Sequence, residues 1–263
     1  LKIFYLRRWY RTIPLYLIAL IFFTVLLNSY NLDFLKYIFF IQKIMPDFVT
    51  NDYFMVAWSL SIEELFYLLF PLYLIFLHKY DLNKIKIFFI FSFIFLKILF
   101  FENLTPNFLR TGSILRIDAI AMGFLLALHY KKFILYKKFI NISFIIISII
   151  LFSLNKFTLN ENLRTLLFIF LSEFFGILIL LFFINLESLF KNKYILKASQ
   201  ILATQTYSVY LFHLIVMHIF LFTDNIYINN IFSYLLVLFA ISSIVYKYFE
   251  LPILKNRPNY EIN

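Results

Sequence analysis

Trp58-Ser59-Leu60-Ser61-Ile62-Glu63-Glu64-Leu65-Phe66-Tyr67 opens an apolar run that continues from Leu68 to His78. Two adjacent carboxylates stand at the head of a stretch long enough to cross a bilayer, for which about 17–25 apolar residues suffice. An acid at the centre of such a helix costs roughly 2.5–3.5 kcal/mol, and less near the interface. A chain that keeps two there is read as using them. Neighbouring residues on a helix point about 100° apart, so only one of Glu63 and Glu64 faces a bundle interior. Ser61-x-x-Glu64 also has capping-box spacing, with Ser59 or Ser61 as the candidate cap. That plainer account covers Glu64 and not the whole segment.

The chain has 263 residues, 63% of them hydrophobic and 14% charged, and a mean hydropathy of +0.88. Soluble domains carry about 25% charged residues, so an ordinary soluble domain is excluded. Phe is abundant (38) and Gly scarce (3), a bias that suits an AT-rich genome and lipid-facing filler. The absence of Cys rules out disulfides and thiolate chemistry. Residue 1 is Leu and no signal peptide opens the chain, which is expected to begin partway through a gene product. Further apolar runs place spans at 12–28, 60–77, 87–101, 113–130, 139–154, 165–184, 205–222 and 231–247. A shorter piece, Phe34 to Met45, carries Lys36 and Lys43 and is read as re-entrant or interfacial. The runs are unbroken rather than alternating, which selects helices over a barrel. The expected fold is an all-α membrane protein, a polytopic bundle of about eight spans plus that one interfacial helix, forming a single domain.

Basic residues set the orientation. Loops 1–11, 78–86, 130–138, 185–197 and 247–263 hold 17 of the 24 Lys and Arg, and the opposite loops hold 5. This asymmetry places both ends of the chain in the cytoplasm. The net charge of +10 then reflects loops facing anionic lipid and needs no nucleic-acid partner.

Few residues remain to carry chemistry. Arg8 and Arg11 are three apart, share a helix face and together suit a phosphate; basic flanks are also a common topology signal. Pro14 is expected in the first turn of its helix. Arg116 and Asp118 stand near the outer start of span 113–130, where Asp118 or Glu63 is the expected partner of Arg116, and Gly123 would admit a neighbouring helix closely. Tyr210 and His213 share a face within span 205–222. Glu173 lies mid-span with Lys97 or Arg116 as possible partners, although Lys97 has the length to snorkel. No Gly-rich phosphate loop, His-x-x-x-His spacing or Gly-x-Ser-x-Gly elbow occurs.

These elements resemble a family. Arg7-Arg8-x-x-Arg11-x-x-Pro14 is similar to the basic motif of the acyltransferase 3 family of integral-membrane O-acyltransferases. Trp58-Ser59-Leu60-Ser61-Ile62-Glu63-Glu64-Leu65-Phe66-Tyr67 resembles its Trp-Ser-Leu-x-x-Glu-x-x-Phe-Tyr signature. Arg116-Ile117-Asp118-Ala119 with Gly123 resembles a later element, and Tyr207-Ser208-x-Tyr210-Leu211-x-His213 with Glu250-x-Pro252 resembles the closing motifs. The resemblance implies an enzyme of the bacterial inner membrane with no permanently bound cofactor. Its donor would be cytoplasmic acyl-CoA, often acetyl-CoA, and its acceptor a hydroxyl of a surface glycan, such as a lipopolysaccharide, or of a lipid-linked sugar. By analogy Arg8 and Arg11 would hold donor phosphates, and Glu63 and Arg116 would shape the catalytic site, with Trp58, Asp118, Tyr210 and His213 as further candidates. The family's proposed catalytic histidine lies on a first helix, and a second helix follows it before the basic motif. Neither helix is in this chain, so an acyltransferase domain lacking its first helices is expected, and His213 matches a different family position. The competing expectations are a transporter or flippase, suggested by the intramembrane ionisable residues, and an inactive remnant.

Overall fold

The structure, a computed structural model, describes residues 1–76, 82–186, 192–221 and 230–259. The end of the expected span 60–77, the last residue of 205–222, His78, and parts of the loops 78–86, 185–197 and 247–263 lie outside the described residues. Among the described residues every regular element is helical: α1 (Lys2–Leu26), α2 (Asp33–Ile38), α3 (Ala57–Phe76), α4 (Leu82–Phe100), α5 (Pro106–Thr111), α6 (Ile117–Phe133), α7 (Lys137–Ser153), α8 (Glu161–Asn185), α9 (Lys193–Leu221), α10 (Ile231–Val245) and α11 (Leu251–Lys255). Among the described residues, five stretches are long and apolar enough to cross a membrane: Lys2–Leu26, Ala57–Ile75, Ile114–Lys156, Glu161–Asn185 and Ile231–Lys255, with Phe91–Phe100 as a shorter apolar helix. The protein is therefore an all-helical, multi-pass membrane protein. The expected re-entrant piece reduces to α2, after which the chain turns through Phe40 at φ 58°.

The chain divides into two compact units. The first comprises Leu1–Phe39, Asn51–Ala57 and Lys193–Asn263, and the second Phe40–Thr50 and Trp58–Asn192. In the first, α1 packs on α9 and α11, and α9 on α10. The core face of α1 (Leu15, Tyr16, Ala19, Leu20, Phe23) is almost fully buried. Tyr16 stacks on Phe54 with ring centroids 5.5 Å apart, and Phe23 packs on it at a tilt, 4.8 Å away. Pro14 lies well inside α1 rather than in its first turn, because the helix starts ten residues earlier than hydropathy alone marks it. A proline there removes one backbone hydrogen bond.

In the second unit, α3, α4 and α6 meet around Phe66, Phe70, Ile117 and Ala121. Ile114–Lys156 is one helical run of 43 residues; laid straight it would reach about 65 Å, about twice the hydrocarbon layer. It folds back instead. Leu115, just before α6, packs near Ile169 of α8, and Leu126 and Ile140 share a cluster with Leu181. Phe144 of α7 stacks on Phe175 and Phe182. So α6 runs with α8, α7 runs against it, and the 3-10 turn Ile134–Tyr136 makes the bend. The expected spans 113–130 and 139–154 are the two arms of this hairpin. The outward face of α7, with Ile142, Ile145, Ile149 and Phe152 exposed, suits acyl chains. Gly123 admits no close neighbour, since an added Cβ would meet nothing within 4 Å.

Candidate functional site

In the second unit, α3 begins at Ala57, so Ser59 and Ser61 lie inside the helix and Ser61 is fully buried. Neither is the N-cap that the capping-box spacing suggests, and no acid stands in the first turn. Glu63 and Glu64 therefore sit a turn deeper, half-buried, where the helix terminus no longer accounts for them. Tyr67 donates to Glu63 Oε1 at 2.6 Å, one turn along the same helix. Trp58 is half-buried in the first turn.

Four ionisable side chains, from α4, the 3-10 turn Ile114–Arg116, α6 and α8, also meet in the second unit. Lys97 on α4 places Nζ 2.6 Å from Asp118 Oδ2 and 2.9 Å from Glu173 Oε1. Arg116, on the 3-10 turn leading into α6, places Nη1 3.5 Å from the same Glu173 oxygen. The Lys97 and Asp118 side chains are wholly buried, Glu173 almost so, and Arg116 is 13% exposed. Lys97 does not snorkel. Arg116 pairs with Glu173, not with Asp118 or Glu63, because Asp118 is taken by Lys97 and bonds the Ala119 amide. Two positive and two negative charges cancel inside the bundle, which is how ionised groups persist in lipid-embedded protein. Among the described residues, Arg116 Nε, Asp118 Oδ2 and Glu173 Oε2 are buried without a hydrogen-bond partner, and of these three atoms Asp118 Oδ2 is held in the ion pair with Lys97. The cluster thus keeps one charged donor and one charged acceptor unspent, and such groups call for an explanation. Sequence reasoning offered Lys97 and Arg116 as partners of Glu173, and both pair with it, but it gave Glu173 no role and allowed Lys97 to snorkel. The signal that finds them is the cost of an ionisable residue in mid-span, applied to all such residues alike.

The first unit gathers the remaining motif residues. Arg8 and Arg11 lie on one face of α1, Arg8 half-buried over the Phe4 ring at 5.8 Å and Arg11 exposed. Arg7 donates to the Pro258 carbonyl. Tyr207 on α9 donates to the Thr12 carbonyl at 2.7 Å, tying α9 to the turn of α1 just after the arginines. Between α10 and α11 the helix widens into a π turn, Tyr246–Glu250, a distortion frequent at functional sites. The turn buries Glu250, whose Oε2 accepts from Ser208 Oγ at 2.8 Å. The two closing motifs, 42 residues apart, are thereby joined. Tyr210 donates to the Val56 carbonyl at 2.8 Å. His213 Nδ1 lies 2.6 Å from the Tyr210 carbonyl. A carbonyl only accepts, so Nδ1 carries the proton, and in the neutral ring Nε2 keeps its lone pair.

A third set, missed in the sequence, orders the segment between α1 and α3. Asp33 is buried and pairs with Lys36 at 2.7 Å while accepting from the Asn51 amide. Tyr37 donates to Asp52 at 2.9 Å and accepts through its carbonyl from Tyr16. Burial first, and then the charge of Asp52, pushes the Tyr37 phenol far above its usual range. These groups are scattered among short polar stretches, and no spacing in the sequence announces them.

Arg8, Arg11, Tyr210 and His213 belong to the first unit, and Trp58, Glu63, Arg116 and Asp118 to the second. No group of three or more metal-binding side chains is found among the described residues. The family model described as an acyltransferase domain matches residues 1–247, which includes every motif named above except Glu250-x-Pro252. No curated protein and no solved structure matches the chain.

Proposed function

The chain belongs to the acyltransferase 3 family, and from that premise we propose that it is a membrane-bound O-acyltransferase moving an acyl group, often acetyl, from cytoplasmic acyl-CoA to a hydroxyl of a surface glycan or lipid-linked sugar. The observation that carries this reading is the family match along nearly the whole chain. The fold supports it with costly ionised groups kept inside an apolar helix bundle.

The reaction we propose is attack of a sugar hydroxyl oxygen on the thioester carbonyl carbon. A C–O bond forms, the C–S bond breaks, and the hydroxyl proton leaves with the CoA thiol through a base. A positioned base is worth about 10²–10⁴ in rate. Arg8 and Arg11 are assigned to the donor's phosphates, a task suited to two guanidinium groups on one helix face. The unspent N–H of Arg116 is assigned to the negative charge that develops on the carbonyl oxygen, and Glu63 to the acceptor side of the site. Residence in the bacterial inner membrane with both ends in the cytoplasm goes with this reading, as the distribution of Lys and Arg suggests.

The test uses the protein in vesicles with labelled acetyl-CoA and a sugar acceptor. A new ester is expected, and Arg8→Ala with Arg11→Ala should raise the KM for the donor at least tenfold. The proposal fails if labelled acyl-CoA neither binds nor reacts and both variants behave as wild type. Movement of an unmodified sugar lipid across the vesicle, without an ester, would establish transport in its place.

A further inference from the structure

A cavity of about 440 Å³ lies in the second unit at the end of the bundle where α8 begins. Asn107 and Arg110 of α5, Asn155 of the turn after α7, and Glu161, Arg164 and Phe168 of α8 line it. Its volume falls in the range of small-ligand sites, about 300–1,000 Å³. Among the described residues the side chains of Arg110 and Arg164 make no ion pair and no hydrogen bond, although Arg164 is half-buried. The segment bearing Arg110 is fixed: Thr105 caps α5 at the Phe108 amide, and Asn162 reaches across to the Glu102 carbonyl. The cavity is thus a formed concavity with two uncommitted guanidinium groups.

Its lining specifies the ligand's chemistry. Two guanidinium groups favour a carboxylate or phosphate. Asn107, Asn155 and Glu161 offer both donors and acceptors, as a set of sugar hydroxyls requires and a bare anion does not. Phe168, 45% exposed, offers an apolar face for the C–H side of a sugar ring. Along α8, Phe168 is five residues before Glu173, about 7.5 Å of helix rise, so the cavity opens at the end of the bundle nearest the buried ion cluster. That end carries the loops poor in Lys and Arg.

We infer that this cavity binds an anionic saccharide, its acidic group between Arg110 and Arg164, and that this is where the acceptor docks. The acceptor role rests on the acyltransferase reading; the binding of an anionic saccharide does not. The experiment measures binding of a galacturonate oligomer to the protein in phosphatidylcholine nanodiscs, without acyl-CoA, with maltotriose as the neutral control. Saturable binding of the galacturonate is expected to weaken at least tenfold in Arg110→Ala/Arg164→Ala and to persist in Arg8→Ala/Arg11→Ala. Arg110 is exposed, so Arg110→Glu reverses its charge without disturbing packing and serves if the double variant does not fold. No binding, or equal binding by wild type and Arg110→Glu, overturns the inference. Competition by phosphatidylglycerol in place of galacturonate binding would assign the cavity to a lipid headgroup and also overturn it. Intact galacturonate binding by protein that forms no ester in the labelled acetyl-CoA assay above would instead count against the transferase reading and the acceptor role, leaving the anionic-saccharide site standing.

Discussion

Lys97, Arg116, Asp118 and Glu173 form a set whose charges cancel only while all four are present. Removing one partner from a buried ionic cluster costs more than never having built it, about 3–5 kcal/mol, because the others are left uncompensated. Lys97→Met should therefore lower stability by that order, read as a fall in the thermal midpoint of the detergent-solubilised protein. Adding Asp118→Asn to Lys97→Met restores neutrality, leaving the Arg116–Glu173 pair, and should recover a substantial part of the loss. Strict additivity of the two changes, or a harmless Lys97→Met, would show that the cluster is not a coupled unit. The pairing within it was half legible in the sequence: Lys97 and Arg116 were the possible partners of Glu173 and both pair with it, whereas the Lys97–Asp118 pair was not foreseen. Lys97 and Glu173 are 76 residues apart, and nothing local distinguishes Glu173 from Asp118 or Glu63 as the partner of Arg116. What was legible is that each is ionisable and lies within an apolar run, which is a statement about cost rather than contact.

At the scale of elements, the apolar runs gave the helices and misplaced their ends. Hydropathy marks the part of a helix that meets lipid. α9 was expected from 205, yet it starts at Lys193, and its first three turns carry Lys197, Ser199 and Gln200 with almost every side chain exposed. α1 likewise reaches back to Lys2, which is why Pro14 turns out to be internal. The two runs expected as separate spans, 113–130 and 139–154, are the two arms of one hairpin, joined by the helical turn Ile134–Tyr136. The π turn at Tyr246–Glu250 had no sequence signature beyond the Pro252 that follows it. Its role is testable. It aims Glu250 at Ser208, and a buried hydrogen bond to a charged acceptor contributes about 1.5–3 kcal/mol. A double-mutant cycle of Ser208→Ala and Glu250→Gln, followed by unfolding, should give a coupling energy of about 0.5–3 kcal/mol. A coupling of zero would mean that the π turn serves something other than this contact.

For the whole molecule, the placement of Lys and Arg predicts the side of the membrane on which each loop lies, and the absence of cysteine makes the prediction easy to check. A single cysteine at Asn107 or Asn160 should react with an impermeant maleimide in intact cells. One at Lys137 or Lys255 should react only after the membrane is opened. The reverse pattern would invert the expected orientation and with it the proposed direction of acyl transfer. The electroneutral cluster has a further consequence for how the chain is made. Ribosomes add about 5–20 residues per second, so Glu173 leaves the tunnel about 3–11 seconds after Arg116. Lys97 meets Asp118 early, but the guanidinium waits for α8 as a lone cation at the lateral gate of the insertion machinery. Loss of Glu173 would therefore be felt first in biogenesis, as retention or degradation of a half-inserted nascent chain, before any effect on turnover could be measured.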